Sequence, residues 1–447
     1  MTDWLYARRD GPLSIAKTAG GLLPPTGKRV QADATACRKT PVQTTGNAVS
    51  ILDNCDDIYQ LRDAARRLLP RGIFEYVDRG SEDDKLLDEN RAALDRLRVV
   101  PRFPEYVSRR DISLELFGKP ITMPYIIAPT GTAGLVAYEG ELALARAAAK
   151  AGIPYTLATG AQTSVEKIAR EVPNGRNFMQ LYLWKDRELS MQLVDRAKNN
   201  GFEALFLTMD TPVAPNRTYN KANGFSFPYK PTLKSFIDVT LAPHWLFGTV
   251  GRYVMKNGGL PRFENYPEEF RTPITQSPLG DRVRHTEDLS WDDVNRLRDR
   301  WPGPLIVKGI MHPEDARIAV ERGADGIVVS NHGGRNLDIS VASIDVLPSI
   351  VAEVGHKTTV LFDSGIRRGT DIVKALSLGA KAVLCGRNTL WGVAVAGEAG
   401  ASKALSIMRN EMLTAMANIG VNTLAELGPH LFEIPGANSS RLAGTRL

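Results

Sequence analysis

The chain has 447 residues, 43% of them apolar and 24% charged, with a formal net charge of +6. Such a composition suits a large globular core, and the modest positive balance favours anionic small molecules or an anionic membrane surface over nucleic acid, for which no dense Lys/Arg run argues. Cys37, Cys55 and Cys385 are too few and too scattered for a disulfide framework or a zinc site, so no metal and a reducing, cytoplasmic setting are expected.

Residues 1–48 are poor in acids, rich in Gly, Pro and Thr, and without sustained period. They read as an irregular extension without a signal-peptide pattern, and support for a transit sequence is weak. No window holds the ~18 apolar residues of a membrane span. "DDIYQLRDAARRLLP" sets Ile58, Leu61, Ala65 and Leu68 on one helix face, with Pro70 as its stop. "SEDDKLLDENRAALDRL" reads as a second helix, capped by Ser81 with acids in its first turn.

From residue 120 short apolar runs alternate with amphipathic helices. The runs lie at 125–129, 155–159, 178–182, 204–210, 305–309, 326–332, 359–365 and 382–387. This alternation implies a parallel sheet covered by helices, and eight units in a row point to an α/β fold of the closed TIM (β/α)8 barrel type. The barrel domain is expected over 55–430, with 431–447 as a tail. One connection breaks the rhythm, so a long mobile or membrane-facing loop, 218–290, is expected after the fourth strand. Within 228–270, Trp245, Leu246, Phe247, Tyr253, Val254 and Met255 stand beside Arg252 and Lys256. That cluster suits a peripheral membrane contact, and a lid or subunit contact suits it equally.

Active sites of such barrels form at the C-terminal ends of the strands. Those ends carry Thr130 and Gly131, Gln180 and Tyr182, Thr208 and Asp210, Lys308, Ser330 and His332, Asp363, and Gly386 with Arg387. In "DSGIRRGTD" and "CGR", Gly365 and Gly386 admit an anion to backbone N–H groups while Arg367 and Arg387 supply charge. Taken alone they are equally glycine turns with solvated arginines. Lys308 in a barrel mouth needs an anion, either a cofactor or substrate or, alternatively, Asp363 in a salt bridge. In "GIVVSNHGGRNLD", His332 as base and Arg335 as clamp suit a substrate with a proton to lose and a carboxylate. A solvated lone histidine is the plainer alternative. Asp210 is a candidate orienter of His332, and Arg217 a second carboxylate ligand.

"SNHGGRNLD", with "LIVKG", "DSGIRRGTD", "CGR", "QLY" and "LTMDTP", resembles the FMN-dependent α-hydroxy acid dehydrogenase/oxidase family from about 55 to 430. "LPRGIFEYVDRGSEDDKLLDENR" is similar to that family's N-terminal helical region. The resemblance implies an FMN whose phosphate rests on Gly365, Arg367, Gly386 and Arg387. Its ring would meet Thr130, Gly131, Ala158, Gln180, Thr208, Lys308 and Ser330, with Asp363 near the ribityl chain. It further implies that Tyr76, Arg217 and Arg335 bind the substrate carboxylate, Tyr182 contacts the hydroxyl end, and His332, supported by Asp210, removes a proton. Lys308 would face the reduced flavin's charge. Ala158 departs from a serine common in the family, and Gly160 from a bulkier residue, which implies a roomier pocket. Gly131 and the long loop resemble the quinone-dependent L-lactate and (S)-mandelate dehydrogenase branch, whose loop contacts the membrane. A tetramer is the family habit. The expected activity is oxidation of a lactate- or mandelate-like L-2-hydroxy acid, with electrons passed to quinone or another carrier. An oxidase making hydrogen peroxide, a larger substrate, or a non-catalytic FMN-binding barrel are the alternatives.

Overall fold

The computed structural model describes residues 51–225, 229, 232–276 and 281–432, so the expectations for 1–48 and most of the tail lie outside the described residues. Three helices lead in, at Ile58–Leu68, Arg71–Asp78 and Lys85–Arg96. The first follows the spacing of its apolar residues, with Asp57 accepting the N–H of Gln60 as cap. Pro70 ends it and also serves as N-cap of the next helix, a second role not expected from the sequence. Ser81 does not cap the third helix. Asp84, with φ 65°, stands at that position, and Ser81 is buried instead with its N–H on the Gly334 carbonyl at 2.9 Å.

A two-stranded antiparallel hairpin follows, β1 (Leu114–Leu116) and β2 (Lys119–Ile121), also unforeseen. Eight parallel strands then close a barrel: β3 (Tyr125–Ile127), β4 (Tyr155–Ala158), β5 (Asn177–Leu181), β6 (Ala204–Thr208), β7 (Leu305–Ile310), β8 (Gly326–Val329), β9 (Thr359–Phe362) and β10 (Ala382–Cys385). Each sits within or beside its expected run, but β6 and β8 stop at Thr208 and Val329, short of the polar residues expected to end them. The hairpin packs on the barrel's inner cluster, where the Phe117 ring meets Phe178 edge-on at 6.4 Å.

Strand alternation builds the barrel interior in layers. Phe178, Phe206, Ile306, Val328, Leu361 and Leu384 point inward and form one apolar cluster. Two residues further along each strand, on the same inward side, come Gln180, Thr208, Lys308, Ser330, Asp363 and Gly386. The apolar layer is thus a floor, and the polar layer above it is delivered by strand register alone. Tyr125, Leu157, Met179, Leu205, Val307 and Ile327 face outward into the larger core beneath the helices.

The excursion between β6 and β7 is mostly helical: Thr218–Ala222, Leu233–Thr240, Pro243–Trp245, a π turn at Leu246–Gly251, and Arg252–Asn257. Trp291–Arg300 then supplies the helix of the fourth βα unit. No helix among the described residues is long and apolar enough to cross a membrane.

Candidate active site

A cavity of about 630 Å³ opens at the C-terminal mouth of the barrel. Lining it are Tyr76, Thr130, Gly131, Ala158, Gln180, Tyr182, Thr208, Arg217, Lys308, His332, Arg335, Asp363, Gly365, Arg367, Gly386 and Arg387. All the residues singled out from sequence therefore meet in one place, except Asp210 and Ser330, which stand just behind it.

His332, Gly333 and Gly334 take left-handed backbone, with φ of 60°, 66° and 73°. For a histidine this is an uncommon conformation, sustained only where the surroundings hold it. They do: the His332 N–H donates to Ser330 Oγ at 3.0 Å, and the Gly333 N–H to Ser364 Oγ at 2.9 Å. The glycines are required by crowding as well as by φ, since a Cβ on Gly334 would lie 2.9 Å from the Leu87 nitrogen.

This turn aims the imidazole. Its Nδ1 lies 2.9 and 3.1 Å from the two carboxylate oxygens of Asp210, so Nδ1 carries the proton and donates it. Nε2 is turned toward the cavity, 3.4 Å from the Tyr182 hydroxyl. Burial pushes the His332 imidazolium below the ordinary histidine value despite the Asp210 charge, so the ring is neutral near pH 7. Burial raises the Asp210 carboxyl, and the His332 and Lys308 charges outweigh that and hold it down at about 2. Asp210 is itself fixed by Thr211 Oγ1 at 3.0 Å, and Asn336 donates to its carbonyl at 2.8 Å.

Lys308 Nζ donates to Ser330 Oγ at 2.9 Å and lies 3.4 Å from Asp363 and 3.9 Å from Asp210. The salt bridge weighed against a cofactor contact is therefore present, yet Lys308 also lines the cavity. Burial lowers its ammonium and the two carboxylates more than offset this, so it stays charged. Ser330, expected to face the flavin, is instead wholly buried behind Lys308, because its hydroxyl is used by that ammonium and by the His332 N–H.

Four arginines face the cavity without an acidic partner among the described residues. Arg217 donates to the Arg335 carbonyl at 2.9 Å and Arg335 to the Arg79 carbonyl at 2.8 Å, with its guanidinium 5.3 Å from the Tyr76 ring centroid. Arg387 reaches the carbonyls of Val77, Gly333 and Arg79, and Arg367 that of Ile366. Burial and the charge of Arg335 bring Arg217 down to about 10, and burial with Arg335 and Arg367 lowers Arg387 as well. Buried and half-buried guanidiniums gathered in this way ask for anions. By chain position they make two pairs, Arg217 with Arg335 and Arg367 with Arg387 after β9 and β10, and the pairs adjoin where Arg335 and Arg387 share the Arg79 carbonyl.

The helix Arg387–Ile419 begins at Gly386 without a side-chain cap, leaving an open N-terminus beside the second pair. The helix Gly369–Ser377 has no such open start. Asp371 accepts the N–H groups of Arg367 and Arg368, and Glu411 that of Gly369. Thr130 Oγ1 is buried at the cavity wall with no hydrogen-bond partner among the described residues. An orphaned hydroxyl, an uncapped helix start and two unmatched arginines together fit a flavin nucleotide carrying a phosphate.

Three contributors were not foreseen from the sequence. Gly309, with φ 104°, leaves room for Asp210, whose Cβ a substituent would approach to 2.5 Å. Ser364 pins the Gly333 turn. His285, from the excursion, stacks on Tyr182 with ring centroids 4.7 Å apart. A glycine after Lys308 was visible in sequence as a break in a strand; the other two depend on tertiary contact.

Comparison with known proteins agrees with this geometry. The FMN-dependent dehydrogenase family matches residues 65–434. A putative L-lactate dehydrogenase of Mycobacterium tuberculosis is 38% identical over 372 residues, 83% of this chain and 87% of the relative. The 2-hydroxyacid oxidase 1 of Mus musculus is 38% identical over 357 residues, 79% of this chain and 90% of the relative. A crystal structure of the monotopic membrane protein (S)-mandelate dehydrogenase superposes with TM-score 0.79 at 37% identity, covering 85% of this chain and 99% of that one.

Proposed function

The chain belongs to the FMN-dependent dehydrogenase family of hydroxy-acid oxidoreductases, and from that premise we propose that it oxidises a lactate- or mandelate-like L-2-hydroxy acid to the 2-oxo acid and delivers the electrons to a quinone. One observation carries the reading. A neutral imidazole with Nε2 turned to the cavity shares it with two guanidiniums that have no carboxylate partner among the described residues. Arg217 and Arg335 hold the substrate carboxylate, Tyr182 meets the hydroxyl, and His332 Nε2 takes one proton while Asp210 stabilises the imidazolium formed. FMN, when bound, would supply a two-electron oxidation; Arg367, Arg387, Gly365 and Gly386 would hold its phosphate, and Thr130, Gly131, Ala158, Gln180, Thr208 and Lys308 would hold the rest. Lys308 keeps a positive charge at the cavity wall, which would favour negative charge on a cofactor held there.

Support for a membrane-borne acceptor comes from the excursion. Leu233, Phe236, Ile237, Leu241, Phe247 and Met255 are all at least half exposed, with Arg252 and Lys256 close by in sequence. An apolar patch of that kind rimmed by cations suits an anionic membrane surface, and the structurally similar (S)-mandelate dehydrogenase is a monotopic membrane protein. The second reading, an oxidase, is favoured by the 2-hydroxyacid oxidase relatives. Anaerobic reduction by L-lactate or L-mandelate, then reoxidation by air or by a short-chain quinone, decides between them. Rapid reoxidation by oxygen and none by quinone would establish the oxidase.

A further inference from the structure

We propose that a second, apolar cavity beside the active site seats the acceptor, taking the ring and first prenyl unit of a lipophilic quinone. This rests on the hydroxy-acid reading above. The cavity, about 210 Å³, lies between the helices Arg71–Asp78 and Leu233–Thr240, walled by Ile73, Phe225, Val239, Trp245, Leu246 and Val250.

Two of its polar groups, on Trp245 and Asp238, are already engaged. Trp245 Nε1 donates to the Leu135 carbonyl at 2.6 Å, and the Asp238 carboxylate accepts the N–H groups of Arg71 and Gly72 at 2.9 and 3.0 Å. A dry cavity of about 150 Å³ lined in this way accepts a benzene-sized ring, so this one has room for a substituted quinone ring and little to offer a hydrated carrier. Tyr229 and Thr275 in the same wall carry hydroxyls able to donate to a carbonyl.

Two adjacencies single out this ligand class. Inward, the Phe225 ring meets Tyr76 edge-on with centroids 5.3 Å apart, and Tyr76 lines the main cavity, so one aromatic pair separates the two chambers. Outward, the segments that wall the cavity with Val239 and Leu246 expose Phe236, Ile237, Leu241 and Phe247. A molecule dissolved in lipid enters from that side without crossing water. The reaction balances: the hydroxy acid gives up two electrons and two protons, and the quinone takes both and leaves as quinol.

The test uses the FMN-loaded enzyme and a short-chain azidoquinone. Photolysis is expected to label peptides containing Phe225 and Trp245–Val250, with unlabelled short-chain quinone competing. Label confined to the main cavity, at Tyr182 or His285, overturns the proposal, as does label that quinone does not compete. Independently, Val250→Trp should slow reoxidation by the quinone at least tenfold while the hydroxy acid still bleaches the flavin at the unmodified rate. Unchanged reoxidation also overturns it. Failure of any hydroxy acid to bleach the flavin defeats the hydroxy-acid reading instead, and the position of the label still judges the cavity.

Discussion

Asp210 grips the Nδ1 edge of His332 with both carboxylate oxygens, at 2.9 and 3.1 Å, and so decides which imidazole nitrogen is left for substrate. The contact exists because Gly309 carries no side chain where Asp210 passes. Replacing Asp210 by Asn leaves a similar shape but no charge to stabilise the imidazolium. Asp210→Asn should lower kcat by about 10²- to 10⁴-fold with flavin content unchanged. A loss below tenfold, measured by steady-state turnover with matched flavin absorbance, contradicts the role.

The pH profile of kcat/KM follows from two half-buried groups of the free enzyme. Burial holds His332 below its ordinary 6.5, and the base must be neutral, so activity persists below that pH and falls only as the lower value is crossed. Carboxylate binding needs Arg217 charged, and Arg217 is lowered to about 10, so the alkaline limb should fall near there. An acid limb centred above 6.5 contradicts the assignment of His332 as the base.

Thr130 Oγ1 has no partner among the described residues. Thr130→Val exchanges an orphaned hydroxyl for a methyl of like size, so the flavin-free protein should be as stable as before or slightly more so. FMN affinity should weaken by about 2- to 12-fold, the worth of one neutral hydrogen bond at ~0.5–1.5 kcal/mol. Titration of flavin-free protein with FMN checks this, and unchanged affinity means the hydroxyl does not touch the cofactor.

Arg367 and Arg387 stand beside other guanidiniums and form no ion pair among the described residues. Removing FMN should therefore lower Tm, and millimolar inorganic phosphate should restore part of the loss by binding the folded state. Arg387→Ala should abolish the phosphate effect. Equal stabilisation of that variant by phosphate places the anion elsewhere.

Much of this site could be read from the sequence because strand alternation is simple. Once eight runs were taken as barrel strands, the inward residues after Phe206, Ile306 and Leu361 had to be Thr208, Lys308 and Asp363. What could not be read depended on contacts distant in sequence. Ser330 lies at the right register, yet the Lys308 ammonium and the His332 turn claim its hydroxyl. The helix Gly369–Ser377 resembles a phosphate site until Asp371 and Glu411 are seen to occupy its N-terminus. His285 lies far from Tyr182 in sequence and reaches it only because the chain after the excursion pairs back, Trp184 against His285.

The exposed apolar face of the excursion yields a separable prediction. Phe236→Glu combined with Leu241→Glu alters side chains that are 64% and 75% exposed, so folding and flavin content should be unaffected. Co-sedimentation with anionic phospholipid vesicles should fall several-fold, because the charges would have to enter the interface. Equal sedimentation of the double variant and the unmodified protein excludes this face as the membrane contact.

In the proposed reaction His332 takes a proton from a 2-hydroxy acid whose carboxylate Arg217 and Arg335 hold. Rapid anaerobic mixing of the FMN-loaded enzyme with L-lactate or L-mandelate measures that step most directly, through the loss of flavin absorbance. At least one of these acids should bleach the flavin fast, and bleaching should slow by more than about 10³-fold in His332→Gln with the flavin still bound. Bleaching within tenfold of the unmodified rate in His332→Gln would contradict that role.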